Sequence, residues 1–157
     1  MKRTVAHVVL FLAFTVIAGA LSNAGAQTFS GSIARGPVAR GGSAKGTIVM
    51  SIPAGLHVNS NRPRSQYAIA TVVRVSGSGV NVSAVNYPRG KDRKFQFSED
   101  PINVYEGRTA FGFTVMVPAG YRGDTVRVRA TVRYQACTEE VCYPPKTKEI
   151  TLTARVR

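Results

Sequence analysis

The clearest pattern in the chain is an alternation of apolar and polar residues that runs from Thr125 to Cys137. Side chains of a β-strand point alternately to opposite faces, so the run predicts a long strand with one buried and one solvated face. Residues 149–156 alternate in the same way and predict a second strand. In the first run the apolar positions are Val126, Val128, Ala130, Val132, Tyr134 and Ala136, and the polar positions are Thr125, Arg127, Arg129, Thr131, Arg133 and Gln135.

Shorter strand-like runs occupy much of the remaining chain, and clusters of Gly, Pro, Asn and Ser separate them. Residues 27–157 contain no sustained apolar stripe at helical spacing. Several short strands at this spacing predict an all-β fold, an antiparallel β-sandwich. The shorter runs are residues 46–52, 67–75, 80–85, 102–105 and 110–117, and residues 27–45 are interpreted as a loosely held N-terminal strand.

The first 26 residues have the pattern of a secretion signal. Lys2 and Arg3 precede a largely apolar run over residues 8–21, and small residues at 24–26 follow where a signal peptidase would cleave. The apolar run is short for a membrane span. We therefore interpret residues 1–26 as a cleaved signal and residues 27–157 as one exported domain, with no stable membrane insertion after cleavage. An uncleaved N-terminal anchor is the alternative.

The chain is strongly basic, with 21 Lys and Arg against 8 Asp and Glu and a net charge of +13. Without Lys2 and Arg3 the count is 19 against 8, a net charge of +11. An exported protein rarely meets nucleic acid, and the basic residues are scattered along the chain, so we expect no nucleic-acid partner. A solvated basic surface is the simplest interpretation, and it would steer the protein toward acidic partners or anionic membrane surfaces.

The chain contains only two cysteines, Cys137 and Cys142. The alternation places Cys137 on the polar face, where its thiol would be accessible. Cys142 is an even number of residues from Ile150, which should be buried, so the alternation places Cys142 on the buried face. A bridge between the cysteines would also set Arg129 opposite Ile150, so the register must slip by one residue. Proline lacks the ladder donor and belongs at bulges and edges. The sequence therefore predicts a hairpin with the cysteines at its tip and a break at Pro144-Pro145.

A bridge between these cysteines has two interpretations, structural reinforcement or redox exchange. Closing a loop of about six residues stabilises a chain by only about 2 kcal/mol in the chain-entropy model, whereas a bridge at an exposed tip is easily reached by a partner's thiolate. Structural bridges are nevertheless common in exported proteins. Glu139 and Glu140 in the turn favour the structural interpretation, because their charges disfavour a thiolate. The residues alone leave both interpretations open.

Other candidate chemistry is sparse. His57 is the only histidine in residues 27–157, and with the two cysteines it would make three ligands for a metal. The cysteine spacing is not that of common zinc motifs, so we expect His57 to be structural and expect no metal site. The sequence contains no glycine motif that would bind a phosphate and no pair of carboxylates at a spacing that indicates catalysis. We expect no bound cofactor.

Residues 132–151 resemble the N-terminal periplasmic domain of the bacterial thiol:disulfide interchange protein DsbD. In that family a Tyr-Gln-x-Cys run is followed by Cys, an aromatic or aliphatic residue and Pro-Pro. Upstream, residues 52–63 resemble the family's segment in which Pro-x-Gly precedes His-x-Asn, and residues 87–88 and 104–107 also fall in the expected order. The resemblance spans residues 45–155. The residues that match the cysteine motif are Tyr134, Gln135, Cys137, Cys142, Tyr143, Pro144 and Pro145.

The resemblance implies an immunoglobulin-like β-sandwich in the periplasm whose cysteine pair, here Cys137 and Cys142, carries electrons. The family takes electrons from a membrane-embedded thiol reductase by way of thioredoxin-like domains, and it reduces disulfide isomerases or cytochrome c maturation factors. Any enzymatic activity would then be protein-disulfide reduction. The motif does not settle which cysteine attacks.

The family also has a loop whose aromatic residue covers the disulfide. Phe95 is the candidate for this cap, with Phe97 as the alternative, and an ordinary core position is the other interpretation of Phe95. Asp92, Tyr134 and Tyr143 are candidate supporting residues.

Two departures from the family pattern alter the expectation. The four residues between the cysteines are one fewer than in the best-known member. The sequence also ends at Arg157 without a membrane hub or a thioredoxin-like domain, so we expect a module that docks on separately encoded partners. The alternative function is an immunoglobulin-like protein-interaction module with an inert structural disulfide.

Overall fold

The computed structural model describes residues 26–157. All regular secondary structure in this range is β-strand. Nothing in this range resembles the long apolar helix that a membrane crossing requires. The signal predicted over residues 1–26 lies, apart from Ala26, outside the described residues and stays a prediction. The strands are β1 (Thr28–Ile33), β2 (Ser43–Ser51), β3 (His57–Asn59), β4 (Val72–Gly77), β5 (Asn81–Val82), β6 (Lys91–Arg93), β7 (Ile102–Tyr105), β8 (Arg108–Met116), β9 (Thr125–Tyr134), β10 (Ala136–Cys137) and β11 (Lys146–Arg155).

These strands form three antiparallel sheets, with the orders β1-β2-β8-β5, β11-β9-β4 and β10-β3-β7-β6. The main core contains Ile48 and Phe111 from the first sheet and Val128 and Val132 from the second. A second, smaller cluster belongs to the third sheet and contains Ile102 and Val104. The predicted all-β, immunoglobulin-like antiparallel sandwich is confirmed.

The long hairpin of β9 and β11 follows the sequence pattern closely. Its register runs without interruption from Thr125 opposite Arg155 to Tyr134 opposite Lys146. Along β9 the predicted apolar face is buried, and the arginines of the other face are exposed. Burial of the apolar face against the first sheet is what fixes this register, because a shift of one residue would expose it.

The shorter elements agree less well with the sequence prediction. Residues 67–71 form no strand, and only Asn81–Val82 is a strand within residues 80–85. The structure also contains β3 and β6, which the pattern did not predict. All three residues of β3 are buried, so the strand has no solvated face and its burial does not alternate.

The exposure predicted for the two cysteines is wrong. Cys137 is completely buried, and Cys142 is exposed. The reason is that β9 ends at Tyr134, Gln135 interrupts it, and Cys137 continues as β10 in the third sheet, paired with β3. The alternation of β9 therefore does not extend to Cys137.

The predicted slip in register is confirmed. Cys137 lies opposite Cys142, whereas Tyr134 lies opposite Lys146. The chain therefore advances three residues from Tyr134 to Cys137 but four residues from Cys142 to Lys146. The extra residue falls in the segment that contains Pro144-Pro145, which belongs to no strand, and β11 begins directly after it. Because of this extra residue, Cys142 no longer shares a face of the hairpin with Ile150, as the alternation had predicted.

Candidate functional site

The two cysteines form a disulfide across the tip of a short hairpin. The S–S distance is 2.03 Å and the Cα–Cα distance is 3.9 Å. The turn is held by its own residues: the Thr138 amide donates to the Val141 carbonyl at 2.8 Å, and the Thr138 hydroxyl accepts hydrogen bonds from the amides of Glu140 and Val141. Threonine hydroxyls commonly organise turns in this way. The hairpin tip is thus a defined turn that is independent of the long β9–β11 hairpin.

Gln135, the residue that interrupts β9, ties this hairpin to the body of the domain. Its side-chain oxygen accepts hydrogen bonds from Nδ2 of Asn59 at 3.0 Å and from the amide of Ile69 at 3.3 Å. Its side-chain nitrogen donates to the Tyr143 carbonyl at 3.2 Å. One amide therefore joins three segments that are remote in sequence.

The two sulfur-bearing residues differ sharply in exposure. Cys137 has no solvent-accessible surface, whereas Cys142 is exposed between two exposed apolar side chains, Val141 and Tyr143. An incoming protein disulfide or thiolate would therefore meet Cys142 first, on a surface with apolar character.

His57 lies on the other side of Cys137. The two residues are direct partners in the β10–β3 ladder, so their side chains lie on the same face, with Cβ atoms about 5 Å apart. The imidazole is 2% exposed and stacks on the Phe95 ring with 4.1 Å between the ring centroids. Extending the β3–β7 register by one residue places Glu106 on the far side of His57. Cys142, Cys137, His57 and Glu106 therefore form a row across the sheet.

Charged side chains close one side of this row. Arg93 forms ion pairs with Glu106 and with Glu139, the latter at 3.0 Å, and its guanidinium lies 5.8 Å from the centroid of the Phe95 ring. Lys91 also approaches Glu106, at 3.6 Å. The Arg93–Glu139 pair links the turn that carries the cysteines to β6 and compensates one of the two acidic charges in that turn.

The environment of His57 favours a neutral imidazole. Burial lowers the pKa of His57 below its usual value of 6.5, because the charged form loses hydration. The charges of Glu139 and Glu106 oppose this effect, and the charge of Arg93 adds to it.

The structure brings only some of the predicted supporting residues to this region. Phe95 is buried beside His57, and Phe97 stacks on Phe95 at 5.2 Å while remaining 42% exposed. Asp92 contacts Arg64 at 2.8 Å and Nδ2 of Asn103 at 2.6 Å. These contacts are separate from the Arg93–Glu106 group.

The two tyrosines also differ. Tyr134 is buried in the main core next to Phe29, and burial raises the pKa of its hydroxyl. Tyr143 lies directly after Cys142 and is bound to the hairpin through its backbone amide and carbonyl.

The sequence predicts neither Arg93 nor Glu106 as a site residue, and it predicts a structural role for His57. Local spacing carries no signal for these residues, because they reach the cysteines only through the β10–β3–β7–β6 sheet. Among residues 26–157, no group of three or more His, Cys, Asp and Glu side chains is arranged to hold a metal ion.

Comparison with known proteins gives both a family and a fold. The family model described as "Thiol:disulfide interchange protein DsbD, N-terminal" matches residues 30–154. A solved structure of the Neisseria meningitidis DsbD N-terminal domain in the reduced form is 18% identical, with a TM-score of 0.47, over 70% of this chain and 77% of that one. No curated protein gives a significant match.

The N-terminal periplasmic domain of ScsB from Proteus mirabilis is 12% identical, with a TM-score of 0.51. The match covers 85% of this chain and 47% of that one, so the chain spans about half of the ScsB structure. This likeness supports the sandwich fold.

Proposed function

The chain belongs to the family of N-terminal domains of the thiol:disulfide interchange protein DsbD, and on this basis we propose that it exchanges electrons with protein partners through Cys137 and Cys142. Family membership and the disulfide-bonded pair support thiol-disulfide exchange. In the proposed role, the domain is exported to the periplasm, where it passes electrons between a membrane-embedded thiol reductase and protein disulfides, with thioredoxin-like proteins as direct partners. No bound cofactor is needed, since the two sulfurs carry the electron pair.

The observation that carries this proposal is the unequal exposure of the two cysteines. In the reduced protein, the exposed Cys142 thiolate attacks a disulfide of the partner, and one partner sulfur leaves as a thiolate. Cys137 then attacks the Cys142 sulfur of this mixed disulfide and releases the second partner sulfur. The partner gains two electrons, and the Cys137–Cys142 bond forms again. The reverse sequence reloads the protein from a dithiol donor.

Phe95 and Phe97 divide the function of a cap between them. Phe95 packs with Ile102 and Val104, so moving it would expose a small apolar cluster. Phe97 lies outside it and lines the same surface groove as the exposed Tyr67. We assign to Phe97 the ring that a docking partner meets, and to Phe95 the contact that holds this loop against His57.

The alternative function is an immunoglobulin-like interaction module with an inert bridge. The complete burial of Cys137 favours it, because a buried sulfur is shielded from reductants. The reduction potential separates the two functions. Structural disulfides have potentials below about −300 mV, and exchanging pairs have higher values.

Trapping of a mixed disulfide tests the proposal directly. Cys137→Ser leaves the exposed Cys142 without its resolving partner, so the variant should accumulate mixed disulfides with thioredoxin-like proteins of the cell envelope, visible on non-reducing gels and identifiable by mass spectrometry. Cys142→Ser is the matched control, because it keeps one thiol in the buried position and should trap far less. Absence of adducts with both variants, together with a potential below about −300 mV, would establish the inert module.

A further inference from the structure

His57 carries a buried polar atom that the fold leaves without a partner. Its Nε2 makes no hydrogen bond to any of the described residues, although the side chain is almost completely buried. Buried polar atoms in folded proteins are nearly always hydrogen-bonded, and one left unpaired costs free energy. An unpaired imidazole nitrogen in the row that contains the cysteines therefore requires an explanation.

The oxidation state of Cys137 supplies one. In the disulfide, the sulfur of Cys137 carries no hydrogen and has nothing to donate. After reduction, the same residue carries an S–H group opposite His57 in the ladder. This S–H group lies on the same face of the sheet as His57, so reduction adds a donor beside the ring that carries the unpaired nitrogen.

We propose that His57 is a catalytic base that accepts the thiol proton of Cys137 when Cys137 resolves a mixed disulfide formed at Cys142. As the Cys137 sulfur attacks the Cys142 sulfur, its proton passes to Nε2 of His57, and the bond between Cys142 and the partner breaks. The partner sulfur leaves as a thiolate and takes the proton back from the imidazolium or from water. The assignment rests on the proposed function, in which Cys137 is the resolving cysteine.

The surroundings of His57 suit a base that must be neutral before the step and charged during it. Burial disfavours the charged imidazole at rest and so keeps the nitrogen free to accept a proton. Glu139 from the cysteine turn and Glu106, directly after β7, stabilise the imidazolium as it forms. Arg93 on β6 opposes it, but Arg93 is paired with Glu106 and Glu139, and Lys91 is paired with Glu106.

Burial of Cys137 explains why a base is needed. A buried thiol ionises with difficulty, because the thiolate loses its hydration. Cys142 is exposed and does not carry this loss of hydration. The base therefore serves the buried cysteine, and the stacked Phe95 ring keeps the imidazole in place beside it.

A coloured disulfide reagent separates the two cysteine reactions in one experiment. When reduced protein is mixed with excess dithiobis(nitrobenzoate), attack by Cys142 releases one nitrobenzoate thiolate in a phase that depends on reagent concentration. Resolution by Cys137 releases a second one in a phase that does not. Both phases are followed by stopped-flow absorbance between about pH 5 and about pH 9, in wild type, His57→Phe and His57→Gln. Tyr105→Phe is the matched control, since it removes a buried polar atom from the neighbouring strand β7.

We expect His57→Phe and His57→Gln to slow the second phase about 100-fold near neutral pH, the size typical of general base catalysis. The first phase should change by less than about twofold, and the deficit should shrink steadily as the pH rises from neutral toward about 9, because the fraction of Cys137 thiol that ionises without a base grows with pH. Tyr105→Phe should leave both phases as in wild type. His57→Gln is polar and smaller than an aromatic ring, so it keeps the test available if His57→Phe does not fold.

Two results would overturn the assignment: a second phase unchanged in the His57 variants, or one slowed by the same factor at every pH, which would indicate a packing role. The reagent is not a protein, so these outcomes are independent of the trapping experiment. Failure to trap a partner, together with a potential below about −300 mV, would refute the proposed function while leaving the two phases measurable.

Discussion

The β9–β11 hairpin and the cysteine hairpin at its end are continuous in the chain but are held by different interactions. The long hairpin has ten paired positions and one apolar face in the main core. The cysteine hairpin has a single bridge between Cys137 and Cys142. The Thr138 hydroxyl holds its turn, and the Gln135 amide and the Arg93–Glu139 ion pair attach it to the domain.

This difference separates stability from reactivity within one domain. Hydrophobic burial stabilises the sandwich in proportion to area and does not depend on the state of any one bond. The hydrogen bonds and ion pair around the cysteines contribute less, but they fix the positions of particular atoms. We therefore expect substitutions in the core to change the free energy of unfolding, and substitutions around the cysteine hairpin to change mainly the chemistry of the sulfurs.

The largest effect on stability should come from the main core. Phe111 is fully buried and makes edge contacts with Tyr87 and Tyr105, with ring centroids 5.7 and 5.8 Å away. Phe111→Ala should lower the free energy of unfolding by about 3–5 kcal/mol in urea titrations, through lost burial and a cavity. The folded fraction should keep the wild-type rate of attack by Cys142. The exposed Phe97 provides the control, and Phe97→Ala should cost less than about 1 kcal/mol. Similar costs for the two variants would contradict the distinction.

An intermediate effect is expected at the junction between the two hairpins. Gln135→Ala removes the hydrogen bonds to Asn59, Ile69 and Tyr143, of which the first two are partly buried. The cost should be about 1–3 kcal/mol. Amide exchange should rise at Ile69, whereas amides of β9 and β11 should stay protected. The exposed Gln66 serves as control, with a change within about 0.5 kcal/mol. Loss of protection along β9 would show that the two hairpins are one cooperative unit.

The smallest effect is a dependence of stability on pH through His57. Because its folded-state pKa is lowered, the unfolded chain binds the proton more readily, so stability falls as pH drops through 6.5 toward the folded-state pKa. One such group contributes at most about 1.4 kcal/mol per pH unit. The free energy of unfolding of the oxidised protein, measured between about pH 7.5 and about pH 5.5, should therefore fall more steeply for wild type than for His57→Phe. Parallel slopes would mean that His57 titrates alike in both states.

The sequence was sufficient to predict the regions in which the alternation of apolar and polar residues matches the alternation of buried and exposed side chains. The alternation in β9 and the incompatibility of a Cys137–Cys142 bridge with the register of Ile150 were enough to predict both strands and the slip near Pro144-Pro145, all of which the structure confirms. The exposure of each cysteine was predicted wrongly for a local reason. Gln135 ends the alternation by bonding Asn59 and Ile69, and no spacing pattern reports such a long-range contact.

The surroundings of the cysteines were beyond sequence reasoning for the same reason. His57 becomes a neighbour of Cys137 only because β10 joins β3, and Arg93 reaches Glu139 only because β6 joins the same sheet. Both β3 and β6 have three residues, too few to show a period. The resemblance to the DsbD family identified the cysteine pair, but the charged and aromatic groups around it depend on side-chain packing.

Pro144 and Pro145 have a consequence for how another protein docks at this tip. Neither residue has an amide hydrogen, so neither can donate to an added strand. The segment after Cys142 is thereby protected against strand addition, the route by which open sheet edges recruit other chains. A partner protein would then be bound here chiefly through its side chains and one transient disulfide, which favours rapid dissociation once that disulfide is broken.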